Sequence, residues 1–401
     1  SRMFEILSNM HFNEEPIDTA TVCGRLTEGD KSSGIDAYYV TGLLGNPTSN
    51  PMYYAKQVYE KYLLRAVIQK TSLINESAYT NNSDIYNLMS DAHTSIGALI
   101  DVRPGTKFII EKELDDTMYN IQNSDVNIIK TGFNGIDSLA GGLTRGEITI
   151  LGGRPGHGKT TAMINVVKTC IEQGLKVLVV NREMTNVEML KKLLVLESGE
   201  LSYLSVRKGI LNDLETIAKL NNAKKKVLEK YSDDRFCMFD NLNTFSQSAA
   251  EIKKFKPDII FDDYIQLISP EQKFDHRRFQ LEKLVNDYKW LAKSQNACVF
   301  LLSQLNRALE QRGDGRPKLS DIAESGAIEQ VAENVFFVFY PYKIDITRSA
   351  SEILLVASKV RYGETDTITL GYKGNVCSMY NDVFDLNSKG GENDTRELPF
   401  D

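Results

Sequence analysis

Residues 153–160 spell Gly-Arg-Pro-Gly-His-Gly-Lys-Thr, a complete G-x-x-x-x-G-K-T phosphate-binding loop. The loop lies between an apolar run of strand character, Glu147–Gly152, and a helical pattern, Thr160–Gln173, which Gly174 stops. Its glycines let backbone N–H groups turn inward onto phosphate oxygens, and the following helix adds the partial positive charge of its N-terminus. Lys159 is then placed to reach the β- and γ-phosphates, and the Thr160 hydroxyl to hold Mg2+. The expected nucleotide-binding positions are Gly153, Arg154, Pro155, Gly156, His157, Gly158, Lys159, Thr160 and Thr161. A strand–loop–helix of this kind commits the surrounding chain to an α/β fold around a nucleoside triphosphate.

The rest of the chain divides around that commitment. Residues 1–100 are expected to be mostly helical. Ser49-Asn50-Pro51 opens a long helix over Met52–Ala78, with Pro suited to the first turn. Asn81-Asn82-Ser83-Asp84 is a turn, and Ile85–Ile100 is a second helix that would complete a hairpin. Arg103-Pro104-Gly105-Thr106 breaks the pattern before a charged amphipathic segment, Lys107–Ile121, which suits a helical linker. From about Lys130, strand-length apolar runs alternate with helical patterns: Glu147–Leu151, Lys176–Asn181, Ile259–Asp263, Ala297–Ser303, Val335–Tyr340 and Ile353–Ser358, with Asp366–Tyr372 closing a last hairpin. Such alternation implies a mostly parallel sheet covered on both faces, with phosphate sites at the carboxyl ends of its strands. The polar, acidic stretch from Asn381 is expected to be a disordered tail. The expected divisions are 1–104 (helical), 105–124 (linker helix), 125–380 (the α/β unit around the phosphate-binding loop) and 381–401 (tail).

Composition excludes several classes. No apolar run of about 18 residues is present to span a membrane, and no secretory signal opens the chain. The five cysteines are dispersed, with no C-x-x-C pair, which argues against zinc ribbons and disulfide frameworks and suits a reducing cytosol. The four histidines are equally scattered, so no metal beyond nucleotide-bound Mg2+ is expected. The net charge of −7 neither marks nor excludes a nucleic-acid partner, because a local basic channel matters more than the total.

Polar residues at the expected strand ends supply the chemistry. Ile259–Asp263 ends in two carboxylates, Asp262 and Asp263, either of which suits the metal-holding carboxylate of a P-loop enzyme. Glu183, after Val180-Asn181-Arg182, is placed to activate a water, although a surface helix start has the same composition. Gln304, after Leu301-Leu302-Ser303, is a neutral amide able to report loss of the γ-phosphate, or a plain loop residue. Lys359 and Arg361 alternate, so an extended backbone points both to one face. They fit either an arginine finger for a neighbouring subunit or a solvated basic turn.

Taken in order, these segments resemble the bacterial and phage replicative DNA helicases of the DnaB family. Residues 301–330, L-L-S-Q-L-N-R-A-L-E-Q-R-G-D-G-R-P-K-L-S-D-I-A-E-S-G-A-I-E-Q, are similar to that family's signature almost throughout. F-D-D-Y-I-Q-L at 261–267 resembles its D-Y-x-Q-L, which selects Asp263, with Thr160, as the Mg2+ site. R-E-M at 182–184 assigns Glu183 as the base, and S-K-V-R-Y-G at 358–363 assigns Lys359 and Arg361 as the finger pair. The N-terminal half matches more weakly, through E-P-I-D-T-A-T-V at 15–22 and the Met52 helix, and the family's first helices are not seen. One departure stands out. The family often carries a basic residue just before E-S-G, in a loop that contacts single-stranded DNA, and here that residue is Ala323. Backbone amides around Glu324, Ser325 and Gly326 remain to hold a phosphate.

The resemblance implies a RecA-like ATPase domain with a smaller all-helical N-terminal domain and a linker helix. It implies a homo-hexamer on single-stranded DNA that moves 5′→3′ and unwinds duplex with Mg-ATP. Its partners would be a primase, a helicase loader or a polymerase, in the cytoplasm of a bacterial cell or a phage host. A RecA-class strand-exchange filament and an ATP-switched scaffold are the competing readings. The N-terminal helices and linker speak against the first, and Glu183 with the finger pair against the second.

Overall fold

The computed structural model describes residues 2–12, 15–43, 51–79, scattered positions between 88 and 96, 110–122, 128–210, 213–271, 274, 276–306, 309, 312, 315–322 and 326–389. The chain forms two compact units, Ser1–Lys107 and Phe108–Asp401.

In the first unit, short helices Arg2–Phe12, Thr19–Gly24, Glu28–Ser32 and Ala37–Leu43 enclose a small core of Met3, Ile6, Met10, Val22, Leu26 and Val40. Local chemistry starts these helices. The Asp18 side chain accepts from the Ala20 and Thr21 amides, and Thr27 and Asp30 form a reciprocal capping box. The long helix, Pro51–Tyr79, begins at its proline as expected. The turn at 81–84 and the break at 103–106 lie outside the described residues, as does most of the second hairpin helix, 85–100.

The second unit includes a helix, Ile110–Gln122, in the segment expected to be the linker. Strands β1 (Ile128–Ile129) and β2 (Leu143–Thr144) then pair as a small antiparallel ribbon. The main sheet contains β3 (Ile148–Gly153), β4 (Val177–Asn181), β5 (Phe236–Phe239), β6 (Ile259–Asp263), β7 (Cys298–Gln304), β8 (Asn334–Phe339), β9 (Glu352–Val360), β10 (Thr367–Lys373) and β11 (Ser378–Tyr380). Its order is β11-β10-β9-β8-β3-β7-β6-β4-β5. The pairings from β8 to β5 are parallel, and those among β8, β9, β10 and β11 are antiparallel.

The central strands are apolar up to their polar carboxyl ends because helices cover both faces. Leu151, Val179, Phe261 and Phe300 pack with Met163 and Val167 of the helix Lys159–Glu172. Their neighbours Ile150, Val180, Ile260 and Leu301 pack on the other face with Ile252, Leu284 and Tyr288, from helices Phe245–Phe255 and Arg277–Gln295. Among the described residues, no helix is long and apolar enough to cross a membrane.

The tail departs from expectation. Residues 383–389 are helical, not disordered. Asp382 caps this helix by accepting from the Asp385 amide at 2.6 Å, and the Asn381 side chain accepts from the Asn134 amide at 2.7 Å. Leu386 packs so closely on Gly371 that a Cβ there would stand 2.8 Å from the leucine Cβ. The polar residues that suggest disorder are thus caps and tethers. The end of the tail, 390–401, lies outside the described residues.

Candidate active site

The P-loop runs from the end of β3 to the helix Lys159–Glu172. Gly156 and Gly158 adopt φ of 74° and 87°, a left-handed conformation that favours glycine. The stem of Lys159 lies across Gly153, whose added Cβ would meet Lys159 Cγ at 2.7 Å. Lys159 is buried, and its Nζ donates to the Arg154 carbonyl at 3.3 Å. Burial lowers its pKa, while Asp263 and Glu183 pull it back up. His157 is turned away from the cradle. Its Nδ1 accepts the Tyr340 amide at 3.1 Å, and its ring stacks 5.9 Å from Phe339. Burial lowers its pKa to about 4, helped by Arg154, Lys159 and Lys343. Its side chain therefore ties the loop to the end of β8.

The paired carboxylates separate by strand alternation. Asp263 lies on the P-loop face, where its Oδ2 accepts from the Thr160 hydroxyl at 2.9 Å. Its Oδ1 is buried without a hydrogen-bond partner. Burial pushes this carboxyl up to about 6, with the Thr160 hydrogen bond lowering it and Glu183 raising it. An orphaned carboxylate oxygen beside a threonine hydroxyl is a donor set that fits a hard divalent cation. Asp262 points the other way and is fully engaged. Arg182 grips both its oxygens at 2.7 Å, and the Tyr288 hydroxyl also donates to it.

An open cavity of about 610 Å3 extends from the P-loop past Glu183 to Lys192, Arg207 and Tyr372. Glu183 is exposed at its wall. Gln304 pairs in register with Gly153, at the first glycine of the loop. Gln266 brackets it, accepting the Gln304 amide at 3.2 Å and donating to the Gln304 carbonyl at 3.2 Å and to Ser303 Oγ at 2.8 Å. One residue beyond, Leu305 bridges to Ile322, and the Asn306 amide donates to the Asp321 carbonyl at 2.8 Å. The end of β7 is thus bonded to the segment that leads directly into Ala323. Ala323, Glu324 and Ser325 lie outside the described residues, and Gly326 opens the helix Gly326–Val331.

Lys359 and Arg361 are not in this cavity. β9 runs antiparallel to β8, so its end, Val360, lies beside Asn334 at the amino edge of the parallel strands. There the Arg361 amide donates to the Glu333 carbonyl at 3.0 Å, and its guanidinium to Glu333 Oε1 at 2.9 Å. Lys359 Nζ donates to the carbonyls of Ala332, at 2.7 Å, and Glu329. Glu333 also accepts the Ile148 amide at 2.9 Å, at the start of β3, and Lys289 at 2.7 Å. From Ile148 to Gly153 is about 17 Å of strand at ~3.3 Å per residue. That is longer than an arginine side chain.

Sequence reasoning missed Arg182, Gln266 and Glu333 as parts of this arrangement. A signal existed for the first, since a second carboxylate in an apolar strand, Asp262, requires a buried cation nearby.

Comparison with known proteins completes the picture. The family model described as DnaB-like helicase C terminal domain matches residues 128–381. The replicative DNA helicase DnaC of Bacillus subtilis (strain 168) is 30% identical over 376 residues, covering 89% of this chain and 81% of the relative. The replicative DNA helicase DnaB of Leifsonia xyli is 28% identical over 406 residues, covering 96% and 85%. Among solved structures, one described as an ATPase domain superposes with a TM-score of 0.64 at 26% identity, over 69% of this chain and 99% of that one. A DnaB-like replicative helicase, described with its interactions with primase, shares the fold at a TM-score of 0.73 and 23% identity, over 94% and 90%.

Proposed function

The chain belongs to the DnaB family of replicative DNA helicases, and from that premise we propose that it works as a homo-hexameric ring that hydrolyses Mg-ATP between subunits. In this reading the ring moves 5′→3′ on single-stranded DNA and unwinds the duplex ahead. Residues 1–104 serve as the N-terminal domain, 105–124 as the linker and 125–380 as the motor. The ring acts in the cytoplasm with a primase, and with a loader or polymerase.

The observation that carries the proposal is the division of the site between the two edges of one sheet. The phosphate cradle lies at the carboxyl edge of β3, and Arg361 is bonded at the amino edge through Glu333. No rotamer of Arg361 bridges the strand between them, so a finger at this position serves a neighbouring subunit's phosphate. Such a front-to-back contact is heterologous, the type that builds a ring where the rotation between subunits closes.

The chain's own residues then have separate tasks. P-loop amides and Lys159 hold the triphosphate. Thr160 and Asp263 would hold Mg2+, which supplies positive charge at the phosphates. Glu183 accepts the proton of the attacking water. Gln304 contacts the γ-phosphate and passes its loss through Leu305 and Ile322 to residues 323–326, where backbone amides hold DNA. Lys359 and Arg361 neutralise charge in the adjacent site.

Mixed rings test this reading. Glu183→Gln and Arg361→Ala homo-oligomers should each bind ATP and hydrolyse almost none. In a 1:1 mixture, about a quarter of heterologous interfaces pair an intact Glu183 with an intact Arg361, and ATPase should recover accordingly. No recovery in rings verified as mixed would refute the split site.

A further inference from the structure

Arg182 and Asp262 are charged, buried and absent from the roles assigned above. Their side chains are 4% and 0% exposed. The guanidinium grips both carboxylate oxygens at 2.7 Å and donates to Ser248 Oγ at 2.8 Å and to the Leu242 carbonyl. Tyr288 donates to the same carboxylate from the helix Arg277–Gln295. The pair is therefore pinned from behind the sheet by two helices, at Ser248 and at Tyr288.

Strand periodicity gives this pin its consequence. β4 and β6 are parallel neighbours with Val180 opposite Asp262 and Asn181 opposite Asp263. The Arg182 amide extends their ladder by donating to the Asp263 carbonyl at 2.8 Å. Successive side chains on extended backbone face opposite ways. Arg182 and Asp262 share the rear face with Val180 and Ile260, and Asp263 faces the P-loop with Phe261. Glu183 follows in the bend after β4 and lines the front cavity with the P-loop, so holding Arg182 on the rear face anchors the bend that presents it. The backbone ladder sets the register of the two strand ends that carry Glu183 and Asp263. A planar fork on a carboxylate adds a fixed orientation at the Arg182 end, which a monodentate contact leaves free to turn.

We propose that the buried Arg182–Asp262 pair is a positioning device that sets Glu183 against Asp263 across the site. The proposal rests on the reading of Glu183 as the base. Arg182 touches no reacting atom and acts only through its neighbour.

The test uses the full-length protein with Arg182→Lys, which keeps the charge and loses the fork, and Asp262→Asn, which keeps the shape and loses the charge. Steady-state ATPase gives kcat, and fluorescent Mg-nucleotide titration gives Kd. Each variant should lower kcat at least ~10-fold while Kd stays within about twofold, as expected when a catalytic group is displaced by a fraction of an ångström. In a Glu183→Gln background, Arg182→Lys should lower the residual rate no further, because two residues that act through one group do not add. Should Arg182→Lys fail to fold by thermal melt, Asp262→Asn carries the same expectation. Wild-type kcat in either folded variant would overturn the proposal. So would a parallel loss of nucleotide binding, or an equal loss of rate in the Glu183→Gln background. Failure of the base reading shows separately, as wild-type turnover by Glu183→Gln alone.

Discussion

His157 makes the P-loop a pH-sensitive part of the fold, and the size of the effect follows from its surroundings. Its Nδ1 accepts the Tyr340 amide, so the ring is neutral and protonated on Nε2. A proton on Nδ1 would set donor against donor in a buried site that already holds Arg154, Lys159 and Lys343. Burial and these cations lower the pKa to about 4, from an ordinary 6.5. The unfolded chain therefore binds the proton more readily, and stability is lost as pH falls below the ordinary value. Integrating between those values, the folded state loses about 2 kcal/mol from pH 7 to pH 5 and only a small fraction of that from pH 8 to pH 7. The comparison protein is His157→Asn, whose amide oxygen can take the Tyr340 N–H and does not titrate. Urea unfolding of the nucleotide-free unit that contains His157, followed at the single tryptophan, Trp290, measures both at each pH. Other ionisable groups cancel in the difference. A wild-type-minus-variant stability that stays flat from pH 8 to pH 5 would refute the buried, neutral imidazole.

Asp263 is expected to show the opposite sign. Burial raises its carboxyl to about 6, so its contribution is present at low pH and lost as pH rises through that value. Asp263→Asn should melt higher than wild type in EDTA at pH 8 by scanning fluorimetry and gain less from Mg2+ plus ATP. A larger Mg2+ gain in the variant would contradict the metal role. Ala323→Arg should tighten single-stranded DNA binding and steepen the log–log salt slope by about one, the increment for one phosphate contact. An unchanged slope places that loop away from DNA.

What the sequence disclosed depended on the range of the physics involved. The P-loop strand and helix were legible because glycine placement and apolar runs are local signals. So were the central strands, whose burial on both faces leaves uninterrupted apolar runs such as 177–180 and 298–302. The edge strand Phe236–Phe239 was not, being four half-buried residues beside a single neighbour. The helix Val383–Lys389 was hidden because its start is marked by capping Asp382, which composition alone counts as tail. At the site, single residues at strand ends were readable from type and position. Pairs were not, because Arg182 and Asp262 are 80 residues apart and meet only through the parallel β4–β6 register. Pattern left Asp262 and Asp263 equivalent. The fold separates them by giving one a guanidinium and leaving the other a bare oxygen over the P-loop.

The Glu333 contacts add a mechanical consequence to the split site. One buried carboxylate binds the guanidinium of Arg361 and the amide of Ile148, the first residue of the strand that ends in the P-loop. Arg361, the proposed finger, and the P-loop cradle are therefore attached to opposite ends of the same strand. β3 is held between β7 and β8 along its length, so it transmits displacement instead of absorbing it. Within the proposed ring, closure of a subunit's cradle on its own nucleotide moves the group it presents to the next site. Hydrolysis in adjacent subunits is then coupled through about 17 Å of paired β-strand, with no flexible relay between the two chemical groups.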